Sequence, residues 1–318
     1  MHELLDAVQT FFSDLASVEW GAVGIALGLQ LLRLFCRAVA WRAIIAAAFP
    51  DLRVPLDRVT GAYFAGTGVN AVAPARSGDV VKLVLVKHEV PGTTYTTLAP
   101  TLIVETLFDA VVASCVLLWA LFAGVLPALD VLPSLPTFDW SWPLDHPRPA
   151  IVIFLVWATV LTLLVVIWSR RVRDFREQIR HGFAILREPR RYFTEVVPWQ
   201  ALSWVLRIAS VWFFLDAFDI PTTARNVMLV LAVQSLSTLL PFTPGGIGTQ
   251  QGFLLYAFRD TAVPRAQLVS FSVGMQLATN ALNFAAGLIA LLLLVRTVRW
   301  KQLVAPERDE IDHARGDR

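Results

Sequence analysis

The chain is poor in charge and in reactive side chains. Asp, Glu, Lys and Arg make up 16% of its 318 residues, against about 25% in a soluble globular domain. It has two cysteines, Cys36 and Cys115. Both lie inside hydrophobic runs at no metal-ligand spacing, so they read as small apolar packing residues. The histidines, at 2, 88, 146, 181 and 313, are scattered. There is no HExxH, no P-loop and no nucleophile elbow. With these missing, no catalytic set is left to assign, and no enzyme activity, cofactor or metal is expected. The first residues carry no basic segment before a short apolar core, so no cleavable signal peptide is expected. A net charge of +2 gives no reason to expect a nucleic-acid partner.

Apolar residues are abundant, at 56% with a mean hydropathy of +0.60. Several runs reach the ~20 residues that a helix needs to cross hydrocarbon. The expected fold is all-α, a polytopic helical membrane protein. Residues 3–18 set Leu4, Leu5, Val8, Phe11, Phe12 and Leu15 on one helical face, which predicts an amphipathic helix at the interface over 1–19. A single transmembrane domain is expected over 20–295, followed by a cytoplasmic tail over 296–318.

Within that domain the first span covers 20–41 and ends near Arg42, Arg53 and Arg58. Residues 59–90 form an interrupted hairpin, 97–126 a span, 127–149 an external loop rich in Pro and Trp, and 150–169 a linking helix. The stretch 170–191 holds eight arginines against Asp174, Glu177 and Glu188, which puts it in the cytoplasm. A span over 198–218, a second interrupted hairpin over 226–258 and a span over 267–295 follow. The halves 20–126 and 198–295 then have opposite topology, the layout of an inverted-repeat transporter with two re-entrant hairpins. Two complete crossings per hairpin would satisfy the charge pattern equally well. The expected location is the plasma (inner) membrane of a bacterium, with the N-terminus outside and the C-terminus in the cytoplasm.

The two interruptions carry the candidate chemistry. Pro241, Pro244, Gly245, Gly246 and Gly248 cannot continue a helix, and irregular backbone at membrane depth is tolerated only inside protein or beside a cavity. A helix beginning near Thr249 would aim its free amides and dipole at an anion, with Thr249, Gln250 and Gln251 as neutral donors. Asn70 to Asp79 break the first hairpin in the same way. There Ser77, Gly78 and Asp79 open a helix beside Arg76. A phosphate of an amphiphile suits such a site. Glycines that only let helices pack closely are the competing reading. Arg33 and Arg37 stand one turn apart on the first span, and Glu105 and Asp109 one turn apart on the third. Charges at that depth call for partners, so these four are expected to pair, as a structural cluster or as a polar path or gate. Arg207, Asn280 and Asn283 are similarly placed.

The series Asn70…Pro74-Ala75-Arg76-Ser77-Gly78-Asp79, Val104-Glu105-Thr106-Leu107-Phe108-Asp109 and Pro241…Pro244-Gly245-Gly246-Ile247-Gly248 resembles the lysylphosphatidylglycerol synthase transmembrane (flippase-like) family. The resemblance runs over about 20–295. It implies an integral membrane module that moves lipids or lipid-linked headgroups between leaflets. Some members carry a fused aminoacyl- or glycosyl-transferase domain, so such a transferase is the expected partner besides membrane lipids. No soluble synthase domain is present in this sequence, and a stand-alone module is expected. Where the family often has a glutamate three residues after the last glycine, this chain has Gln251, and Asp79 stands where Glu is frequent. The expected function is a flippase for an anionic phospholipid or a polyprenyl-phosphate-linked lipid. Alternatives are a transporter of a small polar solute, or an accessory subunit of a transferase.

Overall fold

The computed structural model describes residues 18–73, 76–122, 181–239, 248–259 and 261–297. Nearly all of the amphipathic helix expected over 1–19, the external loop 127–149, the linking helix 150–169 and most of the tail lie outside them. So do five of the eight arginines of 170–191, and Gly245 and Gly246. The elements found are helices: α1 (Trp20–Ala48), α2 (Leu56–Val72), α3 (Ser77–Glu89), α4 (Tyr95–Phe122), α5 (Val197–Ala217), α6 (Ala224–Leu239), α7 (Thr249–Ala257) and α8 (Arg265–Thr297). A short 3-10 turn, Ala184–Arg187, and a π-helical turn, Tyr192–Val196, lead into α5.

Among the described residues three helices are long and apolar enough to cross a membrane: Trp20–Ala48, Tyr95–Ala120 and Arg265–Leu294. Helix α5 has 21 residues but is less apolar, because Gln200, Ser203, Arg207 and Ser210 follow one another along one side. That side faces protein. Ser210 Oγ donates to the Ala26 carbonyl at 2.9 Å, and Glu19 N–H donates to the Ala217 carbonyl at 3.1 Å. At the other end Val196 packs with Ala40, Ala43 and Ile44. Helices α1 and α5 are therefore antiparallel and form the centre.

Around that pair the two hairpins exchange neighbours. Helix α2 packs on α8 and α6 packs on α4. Gly61 meets Leu294 and Gly68 meets Gly287, so α2 and α8 also run antiparallel. At Gly68 and Gly287 backbone lies on backbone: a Cβ on Gly287 would stand 2.6 Å from the Gly68 Cα. In lipid, where burial of apolar surface drives little between helices, such close approach supplies the van der Waals contact that holds them. Each hairpin contacts the long helices of both halves, with α3 on α4 and α7 on α8.

The hairpin helices are short. α3 has 13 residues and α7 has 9, so at 1.5 Å per residue they extend about 20 and 14 Å. The feet of the first hairpin are tied by Arg58 to Glu89 at 2.8 Å. One end of the bundle gathers Arg42, Arg53, Arg58, Lys87, Arg187, Arg190 and Arg191, beside the C-terminal half of α1. The opposite end, near Glu19 and Asp219, has Arg225, Arg259 and Arg265.

Candidate functional site

The polar residues expected at mid-membrane come from α1, α2, α3, α4 and α5 and meet. On α1, Gln30, Arg33, Arg37 and Trp41 share a face at three- and four-residue steps. On α4, Thr101, Glu105 and Asp109 do so at four-residue steps. Packing α1 on α4 brings these stripes together. Trp41 Nε1–H donates to Thr101 Oγ1 at 3.0 Å. One turn on, Arg37 pairs with Glu105, and its Nη1 reaches Asp109 Oδ2 at 2.5 Å. Tyr63 of α2 completes the group, accepting from Arg37 Nε at 2.7 Å and donating to Glu105 at 3.0 Å. Glu105 is 2% exposed, so its charge survives only through these partners.

The expected pairing of two arginines with two acids is redistributed. Arg37 takes both carboxylates. Arg33 instead donates to Gln30 Oε1 at 3.1 Å, and Gln30 Nε2 lies 3.5 Å from Asn283 of α8. Among the described residues no carboxylate lies within ion-pair distance of Arg33. Arg207 is in the same position. Its guanidinium donates to Gln234 of α6 at 2.8 Å and lies 4.7 Å from the Trp204 ring, while the Trp204 N–H donates to Asp109 at 2.8 Å. Arg33 thus stands one turn from Arg37 on α1, and Arg207 lies on the Trp204 ring whose N–H reaches Asp109.

The first hairpin adds a neutral pair. Lys82 Nζ lies 3.0 Å from Asp79 and 4.2 Å from the Tyr63 ring centre, which links the turn of Ser77-Gly78-Asp79 to the arginine cluster. At that turn Arg76 is exposed and has φ 55°, a left-handed backbone that costs a non-glycine residue about 1–2 kcal/mol. Gly78 N–H donates to Asn70 Oδ1 at 2.8 Å, and a Cβ on Gly78 would meet the Gly66 carbonyl oxygen at 1.8 Å. Close packing therefore accounts for this glycine. Among the described residues the buried Ser77 Oγ has no hydrogen-bond partner.

At the second hairpin Gly248 adopts φ 89° just before Thr249, and among the described residues nothing lies within 4 Å of where a Cβ would stand. Its N–H donates to Gln251 Oε1 at 2.6 Å, and Gln251 Nε2 donates to Gln276 of α8 at 3.0 Å. Gln251 is thus an acceptor toward its own helix N-terminus as well as a donor. Tyr63, Lys82, Trp204, Gln30 and Gln234 were not singled out from the sequence. The signal for them was present as stripes, Gln30/Arg33/Arg37 and Gln200/Trp204/Arg207, which put polar residues at helical steps inside apolar helices.

Residues 5–287 match the family described as lysylphosphatidylglycerol synthase TM region. The chain belongs to that family. No curated protein and no solved structure matches it. Membership, with the three apolar helices, makes this family member a multi-pass membrane protein of lipid-related function. The partly buried ion cluster of Arg37, Glu105, Asp109, Tyr63, Lys82 and Asp79 is the polar centre of its described helices.

Proposed function

We propose that this protein moves a lipid with an anionic headgroup between leaflets, the headgroup passing the polar centre while the acyl chains stay among the apolar helices. The observation that carries the reading is the mid-membrane cluster itself. Ionisable groups there are costly and are kept where polar cargo or charge must cross, and the family is a lipid-related one.

The architecture is read as an inverted repeat. Exchanging α1 with α5, α2 with α6, α3 with α7 and α4 with α8 maps the observed helix contacts onto themselves: α2–α8 onto α6–α4, α3–α4 onto α7–α8. Helices of 13 and 9 residues fall short of the ~20 that a crossing needs, which favours re-entrance over full crossings. The arginine-rich end is assigned to the cytoplasm, which places the C-terminal end of α8 inside and the start of α1 outside. The membrane is taken as the plasma membrane.

Arg76 is assigned a headgroup contact at the first turn, with Ser77 and Asp79, while Gly78 lets that turn pack against α2. Gly245, Gly246, Gly248, Thr249 and Gln251 are the corresponding residues at the second. The strained backbone at Arg76 and the unpartnered Ser77 hydroxyl support this. Protein reconstituted into vesicles containing fluorescent phosphatidylglycerol tests it. Arg76→Ala is expected to abolish flipping while the protein stays folded, and Arg148→Ala to leave it intact. Equal rates in the two variants would remove Arg76 from the site.

A further inference from the structure

We propose that Arg33 and Arg207, ringed by the amides of Gln30, Gln234 and Asn283, form a binding site for one singly charged phosphodiester, an inference that rests on the lipid-transport reading above. The argument is a charge count within the polar centre. Arg37 lies against Glu105 and Asp109, a set carrying one negative charge. Lys82 and Asp79 cancel. Arg33 and Arg207 add two positive charges, and what touches them is neutral: Gln30 for one, Gln234 and the Trp204 ring for the other. Among the described residues the centre is left with a single uncompensated positive charge.

A ligand with one negative charge balances the centre. A phosphomonoester or diphosphate would leave it net negative in a medium that screens charge poorly. The surroundings suit a phosphate ester. Arg offers a planar fork of donors to phosphate oxygens, and carboxamides add neutral donors without adding charge. Gln30 bridges Arg33 to α8, and Gln234 bridges Arg207 to Met275 on the same helix at 3.8 Å. A phosphate held by both arginines would therefore tie α1 and α5 to α6 and α8.

The test uses the full chain in maltoside micelles at pH 8, with short-chain fluorescent phosphatidylglycerol and phosphatidic acid of identical acyl chains, read by anisotropy. Wild type is expected to prefer phosphatidylglycerol, and Arg33→Gln and Arg207→Gln each to weaken its binding about tenfold or more. Asp109→Asn raises the count to two positive charges and should move the preference toward phosphatidic acid. Arg207→Lys, which keeps the charge, should keep the preference and covers the case in which the Gln variants do not fold. Unchanged phosphatidylglycerol affinity in both Gln variants, or an unchanged preference in Asp109→Asn, would overturn the site. Displacement of the lipid by an equal concentration of dimethyl phosphate would overturn the lipid assignment and leave a soluble phosphodiester. If wild type binds neither lipid, the transport reading fails as well. If it binds and flips phosphatidylglycerol while the variants keep its preference, this site alone fails.

Discussion

Gly78→Ala separates packing from ligand binding at the first hairpin. The added Cβ would lie 1.8 Å from the Gly66 carbonyl oxygen and 2.7 Å from Asn70 Oδ1. A carbon sits no closer than ~3.3 Å to a carbonyl oxygen in ordinary contact, so α3 must retreat from α2 by ~1.5 Å at this level. The first obstacle is backbone, which cannot rotate away as a side chain can. Overpacking of this kind costs about 1–3 kcal/mol. The retreat also takes Gly78 N–H out of reach of Asn70 Oδ1, now at 2.8 Å, for about another 0.5–1.5 kcal/mol. The sum is about 1.5–4.5 kcal/mol. Gly252→Ala is the control. Nothing lies within 4 Å of its Cβ position in α7, and removing a glycine from a helix gains up to ~1 kcal/mol. Denaturation in mixed micelles should find Gly78→Ala markedly weaker and Gly252→Ala equal to or stronger than wild type. If the two variants unfold together, the packing account of Gly78 is wrong and the glycine is there for a ligand.

Two further outcomes follow from the same geometry. Glu105→Gln leaves Arg37 with Asp109 and Tyr63 at a site only 2% exposed on the Glu105 side; a loss of about 3 kcal/mol is expected, and Glu105→Leu combined with Arg37→Met should lose less than either change alone. Additive losses in the same micelle titration would mean that the pair is not coupled. Cysteines placed at 72 and 246, without Cys36 and Cys115, should label weakly from both sides of the membrane, with 62 and 84 reached from inside and 230 and 256 from outside. Labelling of 72 only from outside and 246 only from inside would establish full crossings.

The helices were legible because each is written twice, in its apolar length and in its ends. Expected spans at 20–41 and 97–126 are found as Trp20–Ala48 and Tyr95–Phe122, and the hairpin helices resume where Ser77 and Thr249 follow Pro- and Gly-rich turns. The first span was read seven residues short because Arg42 looked like its end. In the structure Arg42 donates to the Val54 carbonyl at 2.9 Å, so the helix runs on past a charge that a neighbouring loop satisfies. The partners within the cluster were less legible. Arg33 and Arg37 are alike in sequence, yet only Arg37 faces both acids. Which arginine is compensated depends on how α1 is rotated against α4 and α5, and helical spacing does not contain that angle.

The two hairpin turns share a device that gives the missing carboxylate at position 251 a physical meaning. In each, an amide at the start of the following helix is held by a neutral side-chain carbonyl: Asn70 for the buried Gly78, Gln251 for the exposed Gly248. Such amides have no partner within their own helix and take one from a side chain. A carboxylate at 251 would hold the amide more strongly and would repel an incoming phosphate. The carboxamide of Gln251 holds it weakly and keeps a second bond, to Gln276, that it can retain while turning its oxygen aside. On the proposed transport reading, a neutral cap would keep the helix end satisfied between cargoes and let an anion displace it.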